Sequence, residues 1–125
     1  KIAKRLNSYR PRQLPTLNVC IQVNQASEVQ KGGIESSNIA SLAYEIMELP
    51  QLQLRGLMTI PPLVKTSDQA RSFFSALREQ QNKLISEGIP MDTLSMGMSS
   101  DLEEAILNGS TIVRIGTAIF GPRLG

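Results

Sequence analysis

The chain has 125 residues, of which 41% are hydrophobic and 19% are charged, a composition typical of one globular domain. It has no histidine, which excludes Ser-His and Cys-His nucleophile pairs and His-ligated metal sites within this chain. The single cysteine, Cys20, excludes an internal disulfide and favours a reducing compartment, which we expect to be the cytoplasm. No apolar run approaches the roughly 18 residues that a membrane-spanning helix needs.

The net charge of +2 is unevenly distributed along the chain. Five basic residues without an acidic neighbour lie in the first twelve positions: Lys1, Lys4, Arg5, Arg10 and Arg12. A basic arm of this kind is one way to contact nucleic acid. However, two tyrosines, three phenylalanines and no tryptophan offer little for base stacking. A solvated helix end is therefore the favoured interpretation, and nucleic acid is not the expected partner.

The first elements alternate between helix and strand. Residues 2–8 are predicted to be the end of a helix, and the apolar, β-branched run at 17–24 is predicted to be a buried strand. Residues 36–48 have apolar side chains at helical spacing, and Pro50 stops that helix. A second strand is predicted over 52–60, ended by Pro61 and Pro62.

The second half of the chain repeats this alternation. Thr66 and Gln69 form a capping box that opens a long helix ending at Gly88. Residues 93–98 are predicted to be the third strand. Ser100 and Glu103 form a second capping box, opening a short helix to residue 108, and a fourth strand begins within 111–120.

Strands separated by helices pair in parallel, so the fold class is α/β. Two architectures fit this order. One is an open doubly wound sheet that is complete in itself. The other is half of a (β/α)8 barrel, which needs about 250 residues. A chain that opens inside a basic helical end, with no strand before it, favours the half barrel.

Ligands of parallel α/β folds bind at the carboxyl ends of the strands, and the segment at 95–101 runs from such an end into a helix. Its backbone N–H groups and helix dipole favour an anion. Gly97 allows close backbone approach, and Ser99 and Ser100 add hydroxyl groups. The alternative is that one of these serines merely caps the helix.

The next strand supplies a second anion-binding candidate. Arg114 interrupts an apolar strand and points either inward, under a ligand, or outward between helices. Gly116 and Thr117 follow at the strand end with N–H and hydroxyl donors. Two such strand ends in succession favour a phosphate-bearing ligand. On pattern alone, Met58 is interpreted as core packing, and Glu103 with Glu104 as a solvated face.

Several motifs together resemble the YggS/PROSC family of pyridoxal-phosphate homeostasis proteins. They are LSMGMS at 94–99, Asp101 with EAI at 104–106, VRIGT at 113–117, IFG at 119–121, RGLMTIP at 55–61 and KGGI at 31–34. The resemblance covers essentially the whole chain. It implies a (β/α)8 barrel of the type found in the N-terminal domain of alanine racemases, and a cofactor carrier without established turnover.

The resemblance also implies a site for pyridoxal 5′-phosphate (PLP). Ser99, Gly116 and Thr117 would hold the phosphate, Arg114 would face the pyridine nitrogen, and Met58 and Ser95 would line the ring pocket. Gly97 and Met98 complete the expected cofactor-binding set. No catalytic residue and no metal ligand is expected in the chain.

The family's Schiff-base lysine lies on the first barrel strand, in a segment that this chain does not contain. Residues 1–125 are therefore expected to form the C-terminal half of one PLP-binding barrel, from the helix after strand four to strand eight. Exposed strand edges predict pairing with the missing N-terminal half, or self-association. A PLP-dependent racemase or decarboxylase barrel is the enzymatic alternative, and a basic interaction module is the third.

Overall fold

A computed structural model describes residues 2–25, 38–60, 67–98 and 101–114. Helices and strands alternate through these ranges in the predicted order. The helices are α1 (Ile2–Tyr9), α2 (Ile39–Met47), α3 (Ser67–Ser86) and α4 (Leu102–Leu107). The strands are β1 (Leu17–Gln22), β2 (Leu52–Met58), β3 (Thr93–Met98) and β4 (Ile112–Arg114). No helix within the described ranges is long and apolar enough to cross a membrane.

The observed boundaries lie close to the predicted ones. β3 has the predicted limits, and α1 extends one residue beyond its predicted end. β1 and β2 each end two residues early, although strand-like bonds continue: Val23 N–H donates to the Met58 carbonyl over 2.8 Å, and Thr59 N–H to the Ser95 carbonyl over 3.1 Å. The predicted start of α2, the Thr66 cap and the end of the fourth strand lie outside the described residues.

The start of α4 corrects one prediction. The N-cap is Asp101 and not Ser100, and it makes no side-chain capping bond. Its carboxylate instead accepts the backbone N–H of Met98 over 2.7 Å. The helix therefore begins one residue later than the capping-box pattern indicated.

The four described strands form one parallel sheet in the order β1-β2-β3-β4. Doubly wound sheets contain a point where the strand order reverses, and these strands contain none. Ile21, Leu57 and Leu94 lie side by side in register. All three are buried in one core with residues of α2, α3 and α4. Helices covering one face of a sequentially ordered sheet are typical of a barrel wall, which confirms the half-barrel prediction.

The C-terminus of α3 explains why the chain has glycine at position 88. Ile89 N–H donates to the Leu84 carbonyl over 3.1 Å, and Gly88 N–H donates to the Ile85 carbonyl over 3.0 Å. This is the Schellman pattern, which needs a left-handed residue at the turn. Gly88 has φ +98°, and Leu84 and Ile89 are both buried beside it. The turn therefore orients the chain into β3.

Candidate functional site

The sheet has a second face, opposite the helices, where the sequence-predicted ring-pocket residues meet. Met58 and Ser95 are register partners, and the same row continues to Gln22 on one side and Ile112 on the other. Register partners in a parallel sheet point to the same face. Met58 and Ser95 are half-buried, whereas the neighbouring Leu57 has no exposed surface. Met58 therefore lies outside the core that the sheet forms with the helices, in which the pattern alone had favoured placing it.

A bulge in β2 determines which side chains reach this second face, which we name the ligand face because the predicted ring-pocket residues lie on it. Val19 pairs with Leu54, and the next residue, Cys20, pairs with Gly56, so Arg55 is an extra residue without a partner. Leu52 and Leu54 are buried before the bulge, and Leu57 and Thr59 are buried after it. The alternation of side chains therefore changes phase at Arg55, as bulges produce.

A second irregularity, at Gly97 in β3, determines the orientation of Arg114. Ser95 pairs with Ile112 and Met98 pairs with Arg114, so three residues of β3 span two of β4. Ile112 and Arg114 are two residues apart and lie on one face of β4. Since Ile112 is in the row of Met58 and Ser95, Arg114 lies on the ligand face as well. Of the two orientations that the sequence left open, this register favours the inward one.

Gly97 has a packing role in the structure. Its φ is +104°, and a Cβ built there would lie 2.5 Å from Ala105 Cβ and 3.2 Å from Val113 Cγ1. The space that a side chain would need at this glycine is occupied by α4 and β4. The approach of an anion to the Gly97 backbone stays a prediction. Met98, the next residue, is 44% exposed, but its N–H is already bonded to Asp101.

Three of the predicted phosphate ligands lie outside the described residues: Ser99, Gly116 and Thr117. Ser99 directly follows the end of β3 at Met98. Gly116 and Thr117 come two and three residues after the end of β4 at Arg114. Their assignment to a phosphate stays a prediction.

A buried polar network, which the sequence reasoning missed, lies at the carboxyl ends of β1 and β2. Thr59 is 1% exposed, and its hydroxyl donates to Gln25 Oε1 over 2.8 Å. Gln25 Nε2 in turn donates to the Phe73 carbonyl of α3 over 2.7 Å. The network fixes the chain leaving β1 to β2 and α3. Its one sequence signal is a threonine on the buried face of an apolar strand.

Charged groups meet at the opposite, amino-terminal side of the sheet. Arg55 donates to both carboxylate oxygens of Asp92, over 3.0 and 2.7 Å. The bond from Arg55 holds the pKa of Asp92 below its ordinary value. Nearby, burial raises the pKa of the Cys20 thiol, which therefore stays protonated at neutral pH, in line with the inert thiol expected mid-strand. The described residues contain no group of three or more His, Cys, Asp and Glu side chains able to hold a metal ion.

A parallel sheet in sequential strand order, covered by helices on one face, is typical of a (β/α)8-barrel protein. The model of the family "Alanine racemase, N-terminal domain" matches residues 1–123. The chain belongs to the alanine racemase N-terminal domain family.

Curated relatives share about half their length with this chain. The chain is 51% identical over 123 residues to the pyridoxal phosphate homeostasis protein of Vibrio cholerae, and the match covers 98% of the chain and 52% of that protein. It is 48% identical over 128 residues to the protein of the same name from Escherichia coli, covering 53% of it.

Solved structures give the same fold. PipY of Synechococcus elongatus, in a structure with PLP bound, superposes with a TM-score of 0.86 at 30% identity, over 96% of this chain and 56% of that one. A lysine/ornithine decarboxylase from Vibrio vulnificus superposes with a TM-score of 0.67 at 12% identity, over 94% of this chain and 36% of that one. The second likeness shows the barrel fold alone.

Proposed function

We propose that the chain is the C-terminal half of a PLP-binding barrel of the homeostasis type, a carrier of the cofactor and not a catalyst. The observation that supports this most directly is the meeting of Met58, Ser95 and Arg114 on the ligand face. The curated relatives named above are pyridoxal phosphate homeostasis proteins, and PipY was solved with PLP.

The residues present fit one side of a bound pyridoxal phosphate. Met58 offers an apolar, half-buried side chain for the ring, and Ser95 offers a hydroxyl group beside it. Arg114 places an exposed cation on the same face. Ser99, Gly116 and Thr117 follow the ends of β3 and β4, where we assign the phosphate. When bound, the group supplies an aldehyde that reacts with amines and a ring that accepts electrons.

Arg114 is the reason to propose a carrier. A cation beside the pyridine nitrogen disfavours protonation of that nitrogen. The ring is then a weaker electron sink than the protonated ring on which most PLP enzymes depend. The alternative, a racemase or decarboxylase barrel, shares the fold with the Vibrio vulnificus decarboxylase but draws no support from a described residue.

We further propose that residues 1–125 are part of one domain and that the missing half of the barrel is their partner. The chain spans about half the length of the curated relatives. α1 exposes Ile2, Leu6 and Tyr9 at 70%, 39% and 79%. Beside it, a cavity of about 420 Å³ lies between α1 and β1, at the edge of the sheet where a further strand would pair. A second copy of the chain is the alternative occupant.

The phosphate assignment is tested by Ser99→Ala combined with Thr117→Ala, made in the chain together with the segment that completes the barrel. We expect the affinity for pyridoxal phosphate to fall at least about tenfold, because hydrogen bonds to a charged group are lost. Pyridoxal, which lacks the phosphate, serves as the control ligand, and its affinity should not change. An unchanged affinity for pyridoxal phosphate in an equilibrium titration would refute the assignment.

The role of Arg114 is tested by Arg114→Glu, with Arg114→Lys as the matched control that keeps the charge. The glutamate should raise the basicity of the ring nitrogen and move the pH dependence of the cofactor's absorbance to higher pH. Identical pH profiles in the parent and the glutamate variant would reject this role.

A further inference from the structure

One buried side chain contacts the β2 bulge from the helix side. Gln81, on α3, is 5% exposed, and its Oε1 accepts the backbone N–H of Leu57 over 2.9 Å. A side-chain acceptor on a strand N–H is unusual in a regular ladder, where carbonyls of the neighbouring strands supply the acceptors. Here it lies two residues after the extra residue, Arg55.

Beside the bulge, Gly56 packs so closely against β3 that no side chain fits there. A Cβ at Gly56 would overlap the carbonyl oxygen of Thr93 and would lie 3.0 Å from Gln81 Oε1. The backbone of β2 therefore passes between β3 and the Gln81 amide with no room for a side chain. The N–H of Asp92, the residue before β3, donates to the Arg55 carbonyl over 2.9 Å. This bond holds the extra residue against the start of β3.

The consequence of the bulge is a change in which residue faces the ligand. Without it, strict alternation would place Met58 on the face of Leu52 and Leu54, in the core under the helices. It would place Leu57 on the ligand face. With it, Leu57 is fully buried and Met58 lies beside Ser95. The one-residue change in phase therefore places the flexible thioether of Met58 at the ring pocket in place of the branched alkyl side chain of Leu57.

We propose that Gln81 is a positioning residue: by holding the Leu57 N–H it fixes the β2 bulge and thereby turns Met58 to the ligand face. Gln81 acts through Met58 and does not itself touch the ligand. The relevance of this to cofactor binding rests on the proposed function, but the orientation of Met58 does not.

Methionine oxidation measures that orientation without any cofactor. The chain is treated with hydrogen peroxide, and the oxidation rate of each methionine is followed by peptide mass spectrometry. Met96, 2% exposed, and Met98, 44% exposed, are internal references for a buried and an exposed methionine. In the parent chain Met58 should oxidise at a rate between theirs.

Gln81→Leu removes the acceptor at similar volume, and Gln81→Glu is the matched control that keeps an oxygen in place. In Gln81→Leu we expect the oxidation rate of Met58 to fall to that of Met96, because Met58 turns into the core. In Gln81→Glu the rate should stay at the parent value. General loosening of the fold would raise the rates of both Met58 and Met96, so this outcome, like an unchanged ratio of the two rates, would overturn the proposal.

If circular dichroism shows that Gln81→Leu does not fold, a measurement on the unmodified chain replaces it. NMR detects scalar coupling across a hydrogen bond, and a cross-peak should join the Leu57 amide to the side-chain carbonyl carbon of Gln81. Absence of that peak, in a spectrum showing the ladder bonds of β1 and β2, would refute the role of Gln81. Failure of pyridoxal phosphate to bind would refute the proposed function and leave both results standing.

Discussion

Gly97→Ala is the substitution whose cost the structure defines most closely. The new methyl group would lie 2.5 Å from Ala105 Cβ and 3.2 Å from Val113 Cγ1. Neither neighbour is the end of a flexible side chain, so α4 or β4 has to move. The backbone at this position also has φ +104°, a conformation that residues with a Cβ rarely adopt.

These two effects can be separated in magnitude. Placing an alanine in a left-handed conformation costs about 1–2 kcal/mol. Overpacking a filled contact adds typically about 1–3 kcal/mol. We therefore expect Gly97→Ala to lower the free energy of unfolding by about 2–5 kcal/mol.

Gly88→Ala is the matched control. Gly88 has a similar φ of +98°, but a Cβ there would meet nothing within 4 Å. It should show the conformational cost alone, and the difference between the two variants should be the packing cost of about 1–3 kcal/mol.

Urea denaturation followed by circular dichroism measures both variants against the parent. Ala105→Gly in the Gly97→Ala background should recover part of the loss, since it removes the closest contact. Equal destabilisation by Gly97→Ala and Gly88→Ala would refute the packing argument, because no cost would remain for the contacts with α4 and β4.

Three further outcomes follow from the buried and charged groups. Because its bond from Arg55 lowers the pKa of Asp92, the stabilisation from this pair is present above the ordinary value of 3.8 and lost as pH falls through the lowered value. In urea titrations at a series of pH values, Asp92→Asn should reduce the loss of unfolding free energy on acidification. Equal losses in the variant and the parent would contradict this prediction. Burial raises the pKa of the Cys20 thiol. At mildly alkaline pH, iodoacetamide should therefore alkylate Cys20 more slowly in the native chain than in the denatured chain. Equal alkylation rates would contradict this prediction. Thr59→Val removes the hydroxyl bonded to Gln25 and should lower the free energy of unfolding by about 1–3 kcal/mol. Thr59→Ser, which keeps a hydroxyl group, should lower it less. An unchanged free energy of unfolding in the valine variant would contradict a stabilising role of the network.

The order of helices and strands was predictable because local sequence patterns determine each element. The β-branched run of β1, the helical spacing in α2 and Gly88 at the end of α3 each act over a few neighbouring residues. The family motifs likewise predicted a site that includes Met58, Ser95 and Arg114, and the register of the strands puts these three residues on one face.

The bulges were not predictable, because their causes are distant in sequence. The acceptor for the Leu57 N–H comes from Gln81, 24 residues further along the chain. The space at Gly97 is taken by Ala105 and Val113, from the two elements that follow it. Core packing was the default interpretation for Met58 as an apolar strand residue, and a phase change at Arg55 has no signal in β2 itself. The N-cap of α4 differed from the prediction for another, local reason: Ser100 and Asp101 are adjacent residue types that both favour a capping position, and the structure places Asp101 there.

The central claim is that this chain forms the phosphate- and ring-binding half of a PLP barrel whose lysine lies elsewhere. The direct test combines the chain with the part of the Vibrio cholerae relative that it does not match, adds pyridoxal phosphate, reduces with borohydride and records intact masses. We predict one pyridoxyl group on the added segment and none on the 13.7 kDa chain. A pyridoxyl group on a lysine of this chain, or no adduct on either partner, would contradict the claim.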